Sequence, residues 1–223
     1  MTLPSCVGIH ADIVAPYLVH LTTEEQKKRW LPSFCSGELL TGIGMTEPGG
    51  GSDLANLKTT AVRDGDDWVI NGSKTFITNG GSADLVVVAA RTSPEKKAKG
   101  ISLFGVDTSL PGFSVGRVLD KVGQDESDTA ELAFEDVRVS NDDLIGELDT
   151  GFISMMQFLP QERLARRSPT SPTPRRSSRR RSSTPRTERP SASRSATSST
   201  TSSCWPSWSP RSRSPRRTST SAS

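Results

Sequence analysis

The chain has 223 residues, 32% of them hydrophobic and 24% charged, and its net charge of +3 combines two unlike parts. Residues 1–165 carry a net charge of −10, whereas residues 166–223 carry +13, with 14 arginines, no lysine and one acidic residue. A basic leader and an apolar run of roughly 20 residues are both absent, so we expect a soluble, cytoplasmic protein. The three cysteines are scattered and lack metal-ligand spacing, so we expect neither a disulfide framework nor a metal site.

The first predicted elements are two short helices, at residues 9–20 and 23–31. The second begins with TTEE at residues 22–25. A threonine cap and early carboxylates suit a helix N-terminus. Pro32 is expected to end this helix, because proline removes a backbone donor and crowds the preceding turn.

From residue 40 the pattern changes to short β-rich runs separated by turn residues, which indicates an all-β module rather than βαβ units. The predicted strands are 57–63, 68–71, 75–78, 85–90, 101–106 and 129–134. The sequences DGD (64–66) and NGS (71–73) tolerate positive φ, and both are predicted to form hairpin turns of a meander. The run VVVAA (86–90) is apolar without alternation, which predicts a strand covered on both faces, as in a sandwich or barrel.

A third helix is predicted from residue 151 to residue 164, with Pro160 expected to kink it. Its apolar residues recur at near-helical spacing up to Leu164. From residue 166 the sequence is almost entirely Arg, Ser, Thr and Pro, without apolar periodicity. Such a composition predicts a disordered C-terminal tail.

Several motifs resemble those of the acyl-CoA dehydrogenase family, and they occur in the family's order. GMTEPGGGSD (44–53) resembles the motif that wraps the flavin, and INGSKTFITNG (70–80) resembles the second flavin-contact strand. GISLF (100–104), DTAEL (128–132), FEDVR (134–138) and LPQERL (159–164) follow. The resemblance covers residues 8–164 nearly continuously and is closest to the long-chain branch.

The resemblance implies an α+β fold with a central antiparallel β-sandwich or barrel, flanked by remnants of helical domains. Residues 1–39 would end an N-terminal helical domain, 40–148 would form the flavin-facing β domain, and 149–165 would be the first helix of a C-terminal helical domain. The chain would then be truncated at its N-terminus, with a non-native tail at residues 166–223.

The cofactor implied by the resemblance is FAD. Independently of the family, three glycines at 49–51 allow a backbone to approach a flat ligand closely and free N–H groups to donate to it. Met45 and Thr46 would face the pyrimidine end of the flavin ring, and Thr78 would lie near its reacting edge. The predicted cofactor contacts are Ile43, Met45, Thr46, Gly51, Ser52, Phe76, Ile77 and Thr78.

Two of these residues have alternative interpretations. Phe76 stands where the family more often has tryptophan, so a ring contact remains possible without an indole donor; the alternative is a core aromatic. Ser52 would also contact the thioester end of an acyl-CoA substrate; the alternative is a turn hydroxyl.

The activity implied by the resemblance is α,β-dehydrogenation of acyl-CoA thioesters. A base takes the α proton while a hydride leaves the β carbon for the flavin. Glu162 matches the family position that supplies this base in the long-chain and isovaleryl branches, and the adjacent Arg163 would support the ligand site. A solvated Glu–Arg pair is the alternative. The implied partners are acyl-CoA and an electron-transfer flavoprotein as acceptor. The family is homo-oligomeric, but this chain would lack most of the interface between subunits.

The basic tail has two interpretations. An evolved tail would bind RNA or another polyanion, with the β domain as a non-enzymatic scaffold. A reading-frame error would also yield Arg, Ser, Thr and Pro from GC-rich coding sequence. Read from the third base of each codon, Cys204-Trp205-Pro206 specifies Leu-Ala. Suitable codons for residues 198–209 permit a longer sequence that resembles an amphipathic helix of the family. We prefer the frame error, and we expect such a chain to bind flavin weakly and to have little or no activity.

Overall fold

The computed structural model describes residues 3–165, and the predictions for residues 166–223 lie outside that range. The helical elements are α1 (Leu3–Gly8), a π-helical segment (Ile9–Val14), α2 (Ala15–His20), α3 (Glu24–Ser36) and α4 (Gly151–Ala165). The strands are β1 (Thr41–Gly44), β2 (Thr60–Asp64), β3 (Asp67–Thr78), β4 (Leu85–Arg91), β5 (Ile101–Asp107), β6 (Phe113–Val118), β7 (Thr129–Ser140) and β8 (Leu144–Ile145). Helices at both ends of this range therefore flank a central β region, which confirms the predicted α+β fold.

All eight strands belong to one sheet with the order β6-β7-β3-β2-β4-β5-β8, and β1 pairs with β4 off this path. Most neighbours are antiparallel, as predicted. The pairs β1–β4 and β2–β4 are parallel, which the sequence did not indicate. One buried core contains residues from β2, β3, β4, β5 and β7 together, so the sheet curls around it.

Strand β4 is covered on both faces, as its unbroken apolar run predicts. Val87 and Ala89 pack into a core shared with the helices, including Tyr17 of α2 and Met155 of α4. Val86 belongs to the core inside the curled sheet. Alternate side chains of a strand point to opposite faces, so β4 separates the two cores and fixes the helices against the sheet.

The N-terminus of α3 is capped as predicted, but the helix ends later than predicted. Thr23 and Gln26 form a capping box, in which Gln26 N donates to Thr23 Oγ1 at 3.2 Å and Thr23 N donates to Gln26 Oε1 at 2.9 Å. The helix continues through Pro32 to Ser36, so the predicted end at Pro32 is wrong. Gly37, with φ of 76°, ends the helix in a left-handed conformation that favours glycine.

The two predicted hairpin turns have different outcomes. Gly65, with φ of 66°, connects β2 to β3 in a hairpin, as predicted. The prediction of a turn at NGS (71–73) is wrong, because β3 runs unbroken through it with a register shift at Gly72. A Cβ atom on Gly72 would lie 2.7 Å from Thr59 Cα, so the glycine permits close packing within a strand rather than a turn.

Helix α4 begins and ends close to the predicted bounds and contains Pro160. Met155 and Phe158 of α4 are buried in the core beneath the helices. Within residues 3–165, no helix is long and apolar enough to cross a bilayer.

Candidate active site

A cavity of about 260 Å³ brings together most of the residues predicted to surround the flavin. We call one group of lining residues the sheet wall: Ile43, Met45, Thr46, Phe76, Ile77 and Thr78. We call the other the helix wall: Ile9, Ile13, Leu159, Glu162 and Arg163. The predicted cofactor segments therefore meet the predicted base at one cavity.

The two segments of the sheet wall are joined by a backbone hydrogen bond. Thr75 N donates to Thr46 O at 2.9 Å, so the stretch that follows β1 lies directly beside the end of β3. The hydroxyls of Thr46 and Thr78 have no hydrogen-bond partner within the described residues, although both residues line the cavity. The sheet wall thus has two hydroxyls that can bind the polar edge of a ligand.

Phe76 is exposed to the cavity because the backbone of β3 is irregular there. The register between β3 and β7 shifts between Lys74 and Ile77, and Phe76 has φ of 58°. A bulge of this kind redirects a side chain. The Phe76 side chain is 65% exposed and lines the cavity, which favours a ligand contact over the alternative of a core aromatic.

Gly51 and Ser52 do not line the cavity, and both are exposed. Gly51 nevertheless packs closely against the sheet wall, because a Cβ atom at this position would lie 3.1 Å from Thr46 Cγ2. At Gly49 and Gly50 an added Cβ would meet nothing within 4 Å. Of the three adjacent glycines, Gly51 is therefore the one whose missing side chain shapes the sheet wall.

A buried ion pair supports the sheet wall, and the sequence analysis did not identify it. Lys74 Nζ lies 2.8 Å from Glu47 Oε1 and 3.4 Å from Met45 O. Glu47 also accepts hydrogen bonds from the backbone N–H groups of Lys58 at 2.5 Å and Thr59 at 2.9 Å. The pair ties the glycine-rich turn to β3. A lysine within an otherwise β-rich run was the signal that could have revealed it.

The electrostatics of this pair keep both groups charged. Burial alone would raise the pKa of Glu47, but the hydrogen bonds from Lys74, Thr59 and Lys58 outweigh burial and lower the pKa to about 2. Burial lowers the pKa of Lys74 to about 8, and the hydrogen bond and charge of Glu47 oppose that shift. At neutral pH the site therefore contains a carboxylate and an ammonium group.

The helix wall brings Glu162 to the cavity together with apolar side chains. Leu159, Glu162 and Arg163 come from α4, while Ile9 and Ile13 come from the π-helical segment. Tyr17 Oη donates to Glu162 Oε1 at 3.0 Å. The sequence alone does not point to Ile9, Ile13 and Tyr17, because only the fold reveals which face of the first helices lies towards α4.

The lining residues fit a flavin ring. The cavity combines apolar side chains from both walls with the two threonine hydroxyls, a mixture that suits a flat heterocycle with one polar edge. The residues that would hold the ring are Met45, Thr46, Phe76 and Thr78. In the part of the chain that the structure describes, no cluster of three or more His, Cys, Asp and Glu could hold a metal ion.

Comparison with known proteins gives matches along the same region. The sequence profile of the acyl-CoA dehydrogenase N-terminal domain matches residues 1–38, and that of the middle domain matches residues 42–137. The long-chain specific mitochondrial acyl-CoA dehydrogenase of Sus scrofa is 49% identical over 166 residues, which cover 72% of this chain and 39% of the relative.

Solved structures also resemble the chain. An acyl-CoA dehydrogenase from Geobacillus kaustophilus has 54% identity and a TM-score of 0.70, and the match covers 72% of this chain and 43% of the other. A structure described as an electron transferring flavoprotein of Acidaminococcus fermentans has 39% identity and a TM-score of 0.68, covering 71% and 42%. The chain thus spans about two fifths of the length of the proteins it matches.

Proposed function

This chain belongs to the acyl-CoA dehydrogenase family, and from that premise we propose that its cavity serves the FAD-dependent α,β-dehydrogenation of an acyl-CoA thioester. Members of the family are FAD-dependent flavoproteins. The observation that carries the proposal is the meeting of Thr46, Thr78 and Glu162 at one cavity. Thr46 and Thr78 lie within the residues matched by the middle-domain profile, and Glu162 lies in a motif that resembles one of the family.

We assign the proton transfer to Glu162. The α proton of a thioester is weakly acidic, and a carboxylate held within hydrogen-bond reach of it can act as general base. FAD held by Met45, Thr46, Phe76 and Thr78 would supply the acceptor for the hydride from the β carbon.

The remaining lining residues have binding roles in this proposal. Met45, Thr46 and Thr78 would bind the polar edge of the flavin, and Phe76 would contact its ring. Arg163, next to Glu162, would bind the substrate through its guanidinium donors. Ser52 and Gly51 would act from outside the cavity, since neither lines it.

We also propose an electron-transfer flavoprotein as the acceptor of the electrons. The support for it is that a chain similar to this one belongs to a solved structure whose description names an electron transferring flavoprotein of Acidaminococcus fermentans. Acyl-CoA as substrate is supported by the relatives, which are acyl-CoA dehydrogenases.

The test uses the full chain with added FAD. FAD binding is measured by quenching of flavin fluorescence, since we expect weak binding. Acyl-CoA thioesters of increasing chain length are then added without oxygen, and loss of the visible absorbance of oxidised flavin is followed. Because little activity is expected of this chain, we expect at least one thioester to bleach the flavin slowly. The Glu162→Gln variant should bind FAD equally and react about 10²–10⁴-fold more slowly.

Two results would contradict the proposal. One is FAD binding that is indistinguishable from that of an unrelated protein at the same concentration. The other is bleaching that proceeds at the same rate in Glu162→Gln and in the unsubstituted chain. An exposed-residue control, Glu38→Gln, should behave as the unsubstituted chain does in both measurements.

The alternative function, binding of RNA by the basic tail, lies outside the described residues and stays a prediction. Deletion of residues 166–223 removes a net charge of +13. If the tail binds RNA, this deletion should abolish binding, and the binding constant of the full chain should fall steeply with salt concentration. Binding that survives the deletion would exclude the tail as the site.

A further inference from the structure

We propose that Tyr17 is a positioning residue for Glu162, whose carboxylate it holds at the cavity in the ionised form through one hydrogen bond from the phenol. The proposal rests on the proposed function, in which Glu162 is the general base. The phenol oxygen lies 3.0 Å from Glu162 Oε1. Tyr17 itself does not line the cavity, so it contacts the base without contacting the ligand space.

The packing around Tyr17 leaves the phenol little freedom. The residue is 0% exposed, and its ring centroid lies 4.8 Å from that of Phe158. Phe158 and Glu162 are four residues apart on α4, so they lie on the same face of that helix. One buried tyrosine on α2 therefore contacts two successive turns of α4, through its ring and through its hydroxyl. This arrangement fixes the position of Glu162 relative to α2 at the cavity.

The chemistry of the pair favours the charged base. Burial, followed by the charge and hydrogen bond of Glu162, raises the pKa of Tyr17, so the phenol stays protonated and can donate. A hydrogen bond donated to a carboxylate stabilises its charged form, whereas apolar surroundings favour the protonated form. A protonated Glu162 could not accept the α proton of a substrate. The phenol thus offsets the effect of the apolar side chains in the helix wall.

Other ionisable groups also lie around α4. Those on the elements that pack against it are His10, Asp12, His20, Glu95, Lys96, Lys97, Lys99 and Asp107. Arg163 lines the same cavity as Glu162. All of them are unchanged in a Tyr17→Phe variant, which also keeps the aromatic ring against Phe158. A change in the titration of Glu162 in this variant therefore reports the loss of the hydroxyl.

The first experiment needs neither FAD nor substrate. Tyr17 is the only tyrosine of the chain, so tyrosine labelled with ¹³C at Cζ gives one NMR signal. We expect this signal in the full chain to shift as Glu162 titrates between acidic and neutral pH. The shift should be absent in Glu162→Gln and retained in the exposed control Glu38→Gln. A signal that titrates identically in all three proteins would overturn the proposal.

The second experiment measures Glu162 directly. With ¹³C at glutamate Cδ, the signal that disappears in Glu162→Gln belongs to this residue. In Tyr17→Phe its ionisation midpoint should move to higher pH by about one unit, the effect of losing a hydrogen bond to a charged group. An unchanged midpoint would overturn the proposal. If Tyr17 has only a structural role, Tyr17→Phe should lower the urea midpoint of unfolding and leave the ionisation midpoint of Glu162 unchanged.

The same variant separates this proposal from the proposed function. In the FAD-loaded chain, the acidic limb of the kcat/KM profile against pH should move upward with the NMR midpoint. If the NMR coupling is present and no thioester is oxidised, the pairing of Tyr17 with Glu162 is supported and the dehydrogenase activity is contradicted.

Discussion

Two carboxylates lie at or beside the cavity, and their surroundings among the described residues differ. Glu47, which directly follows Thr46 of the sheet wall, is 7% exposed and is bound by the Lys74 ammonium and two backbone N–H groups. Glu162 of the helix wall is half-buried, lines the cavity and accepts a hydrogen bond from the neutral phenol of Tyr17.

The difference indicates which carboxylate is structural. A buried charge bound by a cation and several N–H groups is stabilised so strongly that it does not exchange protons near neutral pH. A carboxylate that faces a cavity and accepts a hydrogen bond from a neutral donor is accessible to the proton of a ligand. The contrast supports the proposed roles, in which Glu47 stabilises the site and Glu162 transfers the proton.

The largest expected effect on stability is in the sheet wall. Lys74→Met should lower the free energy of unfolding by about 3–5 kcal/mol, because it leaves the buried Glu47 without its cation. Urea denaturation of the full chain measures this. The control Lys58→Met, at an exposed side chain, should change it by no more than about 0.5 kcal/mol. Equal losses in both variants would mean that the buried ion pair contributes no stability beyond that of an exposed lysine.

The acid dependence of stability should come largely from Glu47. Its folded pKa of about 2 lies below the ordinary value of 4.5, so the unfolded chain binds the proton first as pH falls. This contribution is fully present above pH 4.5 and declines as pH falls towards 2, by at most about 3 kcal/mol. Urea denaturation at a series of pH values should give a shallower decline for Glu47→Gln. The same slope in both proteins would contradict the role of Glu47.

A substitution in the helix wall should change the stability of the protein much less. Glu162→Gln should change the free energy of unfolding by no more than about 1 kcal/mol, because the glutamine oxygen can still accept the hydrogen bond from Tyr17. Urea denaturation beside Glu47→Gln makes the comparison directly. A loss from Glu162→Gln as large as that from Glu47→Gln would mean that both carboxylates are structural.

The smallest expected effect concerns FAD affinity. Gly51→Ala places a methyl group against Thr46 Cγ2, so the sheet wall must shift by a few tenths of an ångström. We expect the Kd for FAD to rise about 2–5-fold, which corresponds to about 0.5–1 kcal/mol. Gly49→Ala, which meets no atom within 4 Å, should leave the Kd unchanged. Fluorescence titration of both variants tests whether the third glycine shapes the wall.

Local patterns predicted much of the fold. The apolar run of β4 indicated burial on both faces, and the glycine of DGD indicated the hairpin between β2 and β3; the structure confirms both. The turn at NGS was predicted wrongly because its glycine is required by Thr59, a neighbour that the local sequence does not reveal. The cytoplasmic location, the domain bounds and both interpretations of the tail stay predictions.

The candidate site, like the fold, was predicted from the sequence only in part. Motifs that resemble those of the family identified the residues of the sheet wall and pointed to Glu162, because such motifs are a property of the sequence alone. Only the tertiary structure decided which side chains meet them. Tyr17 and Glu162 are 145 positions apart, and Lys74 and Glu47 are 27 apart. Burial and hydrogen bonding over such separations decide whether a carboxylate is structural or able to exchange a proton.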